Sequence, residues 1–132
     1  MRGTRMLGML VLVGVVSAPL GALAADHTPV LLGHVEKVLG ILKRNLLQCD
    51  KGVAELEGYK KKNLADFLKK KKETKEYVAR LSEAQREALG KRYAPRVKAL
   101  LADMFETSGK FGKKCPKHTG KVSQIFQDFS LN

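Results

Sequence analysis

The sequence predicts an all-α fold, a small antiparallel helical bundle of three longer helices and one short C-terminal helix, held by one disulfide. Three observations carry this expectation. Apolar side chains recur every three or four positions from Leu31 to Leu56, the spacing of one face of a helix. Ser82 and Gln85 stand three positions apart at the head of another periodic run, where each can satisfy an otherwise free terminal amide. No segment alternates apolar and polar residues as a half-buried strand does, and no internal period marks a repeat array.

The first 24 residues read as a secretory leader that precedes the bundle. Arg2 and Arg5 supply a positive start, Met6 to Val16 is almost wholly apolar, and Ala22-Leu23-Ala24 places small residues before a cut expected between Ala24 and Ala25. Gly14, Ser17, Pro19 and Gly21 break the apolar core before it reaches the roughly 20 residues of a membrane span, and no later run approaches that length. The expected organisation is a signal peptide over 1–24 and a single helical domain over 25–132. The predicted location is periplasmic or extracellular.

The bundle reads in order as follows. Thr28 suits an N-cap and Pro29 the first helical position, where its missing amide hydrogen does little harm. Leu31, Val35, Val38, Leu42, Leu46, Cys49, Val53 and Leu56 then predict a first helix over about 29–57, ending at Gly58, with a break at Gly52 as the alternative. A second helix over roughly 60–80 has Leu64, Phe67, Leu68, Val78 and Leu81 as its apolar face, with Lys71 and Lys75 close to the buried stripe. Ser82 caps a third helix expected to reach Ser108, with Gly109 in the left-handed position after it. Its inward set is Leu89, Tyr93, Val97, Leu100, Leu101, Met104 and Phe105, and Pro95 predicts a kink. Residues 110–119 read as a connection, and Val122, Ile125, Phe126 and Phe129 line one side of a short final helix.

In an exported chain Cys49 and Cys115 are expected to pair. They lie 66 positions apart, a loop whose closure entropy corresponds to about 4 kcal/mol of stabilisation. Such a bond fixes the entrance of the terminal helix against the first. There is no Cys-x-x-Cys redox motif.

Charge is the other strong feature. The chain has 25 basic and 13 acidic residues; without Arg2 and Arg5 it keeps 23 basic residues and a net charge of +10. Lys60, Lys61, Lys62, Lys69, Lys70, Lys71, Lys72 and Lys75 fall within 16 positions, opposed locally by Asp66 and Glu73. Lys110, Lys113, Lys114, Lys117 and Lys121 make a second group. The expectation is a surface for an anionic envelope component or an acidic protein, acting by long-range attraction. Spacing alone leaves open whether the two groups share a face. Peripheral membrane contact through Phe126, Phe129 and Lys121 competes with core packing of the same rings. No zinc-finger, glycine-loop or aromatic-basic pattern accompanies the charge, so nucleic acid has no specific signature.

Catalysis and cofactors find little support. Cys115-Pro116-Lys117-His118 lacks the second cysteine of a c-type haem attachment, and His34 and His118 would need both cysteines to complete a metal site. A Cys115–His118 nucleophile pair is incompatible with a disulfide. Glu55 and Glu57 do not share a helix face, and Glu83 and Glu87 share a solvent face. The sequence implies no cofactor and no metal, and a small secreted enzyme is a distant alternative.

Leu81-Ser82-Glu83-Ala84-Gln85 resembles the Leu-Thr-x-x-Gln segment of small helical periplasmic stress proteins and chaperones. Ser82 stands where that segment has threonine, and the likeness covers five residues without a second copy. The resemblance implies an alternative function, a periplasmic chaperone or stress regulator that shields unfolded envelope proteins.

Overall fold

A computed structural model describes residues 25–132, and the predicted leader lies outside the described residues. Four α-helices form the bundle: α1 Thr28–Arg44, α2 Cys49–Ala79, α3 Glu83–Lys114 and α4 Thr119–Asp128, with a 3-10 turn at Pro116–His118 between the last two. The all-α bundle of three longer helices, one short C-terminal helix and one disulfide is therefore observed. Pairings along the helices set an up-down-up-down order. His27, His34 and Asn45 of the α1 strip meet Glu73, Asp66 and Glu55 in turn, so α1 and α2 run antiparallel. Glu36 meets Arg96 and Lys43 meets Asp103, so α3 returns parallel to α1. Glu57 with Lys121 and Lys60 with Asp128 set α4 parallel to α2.

The core gathers around α1, whose Leu31, Leu32, Val35, Val38, Leu39, Ile41 and Leu42 are all buried. Against them pack Val53, Leu56 and Phe67 of α2, Leu100 and Phe111 of α3, and Val122, Ile125 and Phe129 at the C-terminal end. Phe67 and Phe129 meet edge to face with centroids 5.1 Å apart, a favoured aromatic geometry. Burying α4's apolar side stabilises a ten-residue helix that is too short to persist alone.

The first helix breaks where no glycine stands. The spacing predicts one helix over 29–57, whereas α1 stops at Arg44 and α2 begins at Cys49. Asn45 makes the corner: it is buried, and its side-chain amide donates to the Ile41 carbonyl at 2.8 Å and to the Glu55 carboxylate. Gly52 is not a terminator but a contact. A Cβ there would lie 2.9 Å from the Asn45 Cβ, so glycine lets the first turn of α2 close on the corner. Gly58 lies within α2, which continues to Ala79 and merges the expected second helix with the end of the first.

The Ser82–Gln85 capping box is present in both directions, Gln85 N to Ser82 Oγ at 3.2 Å and Ser82 N to Gln85 Oε1 at 2.9 Å. At the other end α3 passes through Gly109 and Gly112 to Lys114, and no described glycine adopts positive φ. The expected stop at Gly109 is thus corrected. Phe111, only 1% exposed, lies between the two glycines, and burying its ring outweighs about 1 kcal/mol of helix propensity lost at each. Pro95 sits inside the same helix. At the N-terminus His27 occupies the cap and Thr28 is already helical, one residue from the expected register. The inward set also needs correction, since Leu101 is 57% and Phe105 85% exposed, and on α2 Leu68 is 49% exposed.

Candidate functional site

The disulfide fixes the framework on which the charged groups are arranged. Cys49 opens α2 and Cys115 follows α3; they are bonded, with Cα atoms 5.6 Å apart. One covalent link therefore holds the start of α2, the end of α3 and the entry to α4 together.

The eight clustered lysines divide into two sets by what their ends touch. Lys60 Nζ lies 2.7 Å from Asp128 Oδ2, joining α2 to α4, and holds that carboxyl below the usual range by donating to it. Lys70 pairs with Asp66 one turn away, and its hydrogen bond is the main reason that the Asp66 carboxyl also titrates low. Lys71 donates to the Ser130 carbonyl at 2.8 Å; partial burial, helped by the nearby Lys75 charge, lowers its ammonium's proton affinity. These three serve the fold. Lys61, Lys62, Lys69, Lys72 and Lys75 are exposed, and none has a carboxylate within ion-pair distance among the described residues. Side chains advance about 100° per residue around a helix, which puts Lys61, Lys62, Lys69 and Lys72 on the half of α2 opposite Val53, Leu56 and Phe67, with Lys75 at the border of the buried stripe. From Lys61 to Lys75 the row runs about 21 Å.

Lys113, Lys114 and Lys117 do not extend that row. They flank Cys115, beside the first turn of α2, whereas Lys61 lies about 18 Å further along that helix. Lys113 and Lys114 instead join Lys43, Arg44 and Lys110 around a groove of about 590 Å³ whose apolar lining comes from Leu46 and Leu47. The unrecognised break at Asn45 is what hid the α1 contribution from the sequence. Three of these cations are already engaged, Lys43 with Asp103 at 2.6 Å, Lys110 with Glu106 at 3.1 Å and Arg44 with Glu55 at 3.8 Å. The groove also receives the C-terminal ends of α1 and α3, whose partial negative charge offsets part of the remainder. The row on α2 is the less compensated of the two.

The histidines are absorbed in helix pairing. His27 Nε2 lies 2.8 Å from Glu73 Oε1, His118 Nε2 lies 2.9 Å from Asp50 Oδ1, and His34 lies between Tyr59 and Asp66 against Phe67 and Phe129. Burial, with the Asp66 charge adding to it, raises the Tyr59 phenol and keeps it protonated, so it is a donor rather than a base. The grooves around Lys43 and Leu46, around Glu36 and Arg96, and around Met104 and Phe129 are lined without a histidine. Among the described residues no three His, Cys, Asp or Glu side chains converge as metal ligands. No described helix is long and apolar enough to cross a membrane.

Phe129 is fully buried and Phe126 half-buried, so α4 turns its apolar side into the bundle. Comparison with known proteins found no matching family model, no matching curated protein and no matching solved structure.

Proposed function

We propose that this chain is an exported, non-catalytic helical binding protein whose basic surface meets an anionic envelope component or an acidic protein. The observation that supports this reading is the row of Lys61, Lys62, Lys69, Lys72 and Lys75, exposed and without acidic partners among the described residues. Five ammonium groups along about 21 Å attract a partner from beyond contact distance, and that attraction weakens as salt shortens the screening length. Lys60, Lys70 and Lys71 belong to the scaffold under this reading, and the groove beside the disulfide adds a smaller positive field.

The test separates the two lysine sets. The full chain is offered to anionic lipid, cell-wall polymer, nucleic acid and an acidic protein at low and high salt. Glutamines replacing Lys61, Lys62, Lys69, Lys72 and Lys75 should abolish salt-sensitive binding and leave the thermal transition in place. Glutamines at Lys60, Lys70 and Lys71 should lower the transition and leave binding largely intact. Absence of salt-sensitive binding to all four classes overturns the reading. Sequencing the N-terminus of the protein recovered from the medium or periplasm checks export, with Ala25 expected first.

A further inference from the structure

The outward face of α3 combines two properties that the row on α2 keeps apart. Phe105 is 85% and Leu101 57% exposed, although Leu100, Thr107 and Phe111 of the same helix are buried. Lys91, Lys98 and Phe105 recur at seven-residue intervals, two turns each, and so fall on one line of the surface. Exposed Ala94, Ala102 and Gly109 flank that line, leaving the phenyl ring as its most prominent group, and Lys113 stands at its border toward the disulfide end, about 80° around the helix from Phe105. Lys91, Lys98 and Lys113 have no carboxylate within ion-pair distance among the described residues. The acidic neighbours are Glu106, held by Lys110 at 3.1 Å, and Glu87 one turn before Lys91.

We infer that this face of α3 is a peripheral docking surface for an anionic phospholipid bilayer, with Leu101 and Phe105 entering the headgroup–acyl boundary and Lys91, Lys98 and Lys113 reaching the lipid phosphates. A surface helix that carries large apolar groups between long cations gains from both layers of a bilayer interface, and lysine stems reach back to the phosphates as the apolar groups sink. Charge complementarity selects this occupant. A second copy would set Lys91, Lys98 and Lys113 against like charges, with each chain carrying +12 overall. The row on α2 has only the half-exposed Leu68 to insert and attracts without depth. The inference rests on the proposed anion-binding function, of which it names the partner and adds a second face.

The chain contains no tryptophan, so Phe105→Trp on the full chain installs a single reporter at the decisive position without disturbing the core. With vesicles of phosphatidylglycerol and phosphatidylcholine its emission should move to the blue and be quenched by acyl-brominated lipid. Pure phosphatidylcholine should produce neither effect, and Leu68→Trp on α2 should keep aqueous emission in both. This readout is local to position 105 and independent of any lipid affinity of residues 1–24. Phe105→Ser should weaken vesicle binding on the order of tenfold. Glutamines at Lys91, Lys98 and Lys113 together should weaken it roughly tenfold to a hundredfold. Aqueous emission from Trp at 105 in a chain that still sediments with anionic vesicles overturns this inference and leaves the function proposed above standing. Failure to bind any anionic class overturns both. A blue shift with a reduced, unfolded protein and none with vesicles overturns the lipid assignment in favour of a chaperone.

Discussion

α2 and α3 are nearly equal in length, 31 and 32 residues, and both lie against α1, yet they are anchored differently and show different surfaces. α2 is buried at Gly52, Val53, Leu56, Phe67 and Thr74, so core contacts reach most of its length. α3 is buried at Leu100, Thr107 and Phe111 alone, all in its second half. Its first half is tied to the N-terminal region by polar links, Tyr93 to Asp26 at 3.0 Å and Arg96 to Glu36 at 3.0 and 2.8 Å. Outside, α2 carries charge with little apolar surface, whereas α3 carries fewer free lysines around Leu101 and Phe105. A helix held along its length can present a rigid row of charge. One buried in its second half alone is freer in its first, while the exposed Leu101 and Phe105 stand on the half that is held.

The largest expected effect comes from the point where α3 is most deeply fixed. Phe111→Ala should cost about 4–5 kcal/mol of unfolding free energy, because the bundle cannot collapse fully into the space left by the ring. Phe105→Ala, six residues away on the same helix, should fall within about 0.5 kcal/mol of wild type. Urea denaturation of the two variants measures this difference directly. Equal losses would mean that α3 is turned the other way about its axis.

The disulfide joins the two helices at the only end where both are well buried. Replacing Cys49 and Cys115 with serine should cost about 4 kcal/mol by loop entropy, and α4 should be the first element to loosen. Denaturation midpoints of the oxidised chain and the double variant test the magnitude, and amide exchange along 119–128 tests the location. An unchanged midpoint would show that burial of Val122, Ile125 and Phe129 suffices to dock α4.

How much of this was legible in the sequence differs between the same helices. The Ser82–Gln85 box marks the start of α3 because capping is a local matter of two side chains and two amides. The corner at Asn45 was concealed because Leu42, Leu46, Cys49 and Val53 keep helical spacing straight across it. Four residues of turn advance the chain without breaking the apolar rhythm. The sequence predicts too early an end for α3 because Gly109 resembles a terminator, whereas the burial of Phe111 is a tertiary effect. Lysine count and clustering were plain, but which lysines serve the fold depends on Asp128 and Ser130, some 60 residues away. Spacing predicts Leu101 and Phe105 to face inward, since periodicity locates an apolar stripe without saying which of two neighbouring lines the core accepts.

Gly52→Ala tests the corner that sets the register of α2. The added Cβ would stand 2.9 Å from Asn45 Cβ and 3.6 Å from Phe111 Cε1, and neither neighbour is a flexible chain end. Overpacking should cost about 2 kcal/mol, more than the helix propensity gained from alanine. Gly58→Ala, with nothing near its Cβ, should be stabilising by roughly 1 kcal/mol. Opposite signs at two glycines of one helix would separate a packing role from a terminating one. Matching signs would remove the account of the corner given above.

The smallest effect probes the polar latch on the first half of α3. A hydrogen bond from Arg96, reinforced by its charge, holds the Glu36 carboxyl below the usual carboxylate range. A carboxyl depressed in the folded state contributes stability that is present above its unfolded value, near pH 4, and is lost as pH falls through the folded one. Lowering pH from 6 to 3 should therefore loosen residues 86–97 of α3 before residues 52–67 of α2, which are held chiefly by burial. The link is well exposed and worth less than about 1 kcal/mol, so global melting is a poor probe and amide protection factors along each helix are the better one. Glu36→Gln should reproduce the acid pattern at pH 6 and remove most of the pH dependence of residues 86–97, leaving that of the Lys43–Asp103 link further along α3. Uniform loss of protection in both helices would instead assign the acid response to the carboxylates paired with α2 lysines, Asp66 and Asp128, which are held low in the same way and would be titrating over the same window.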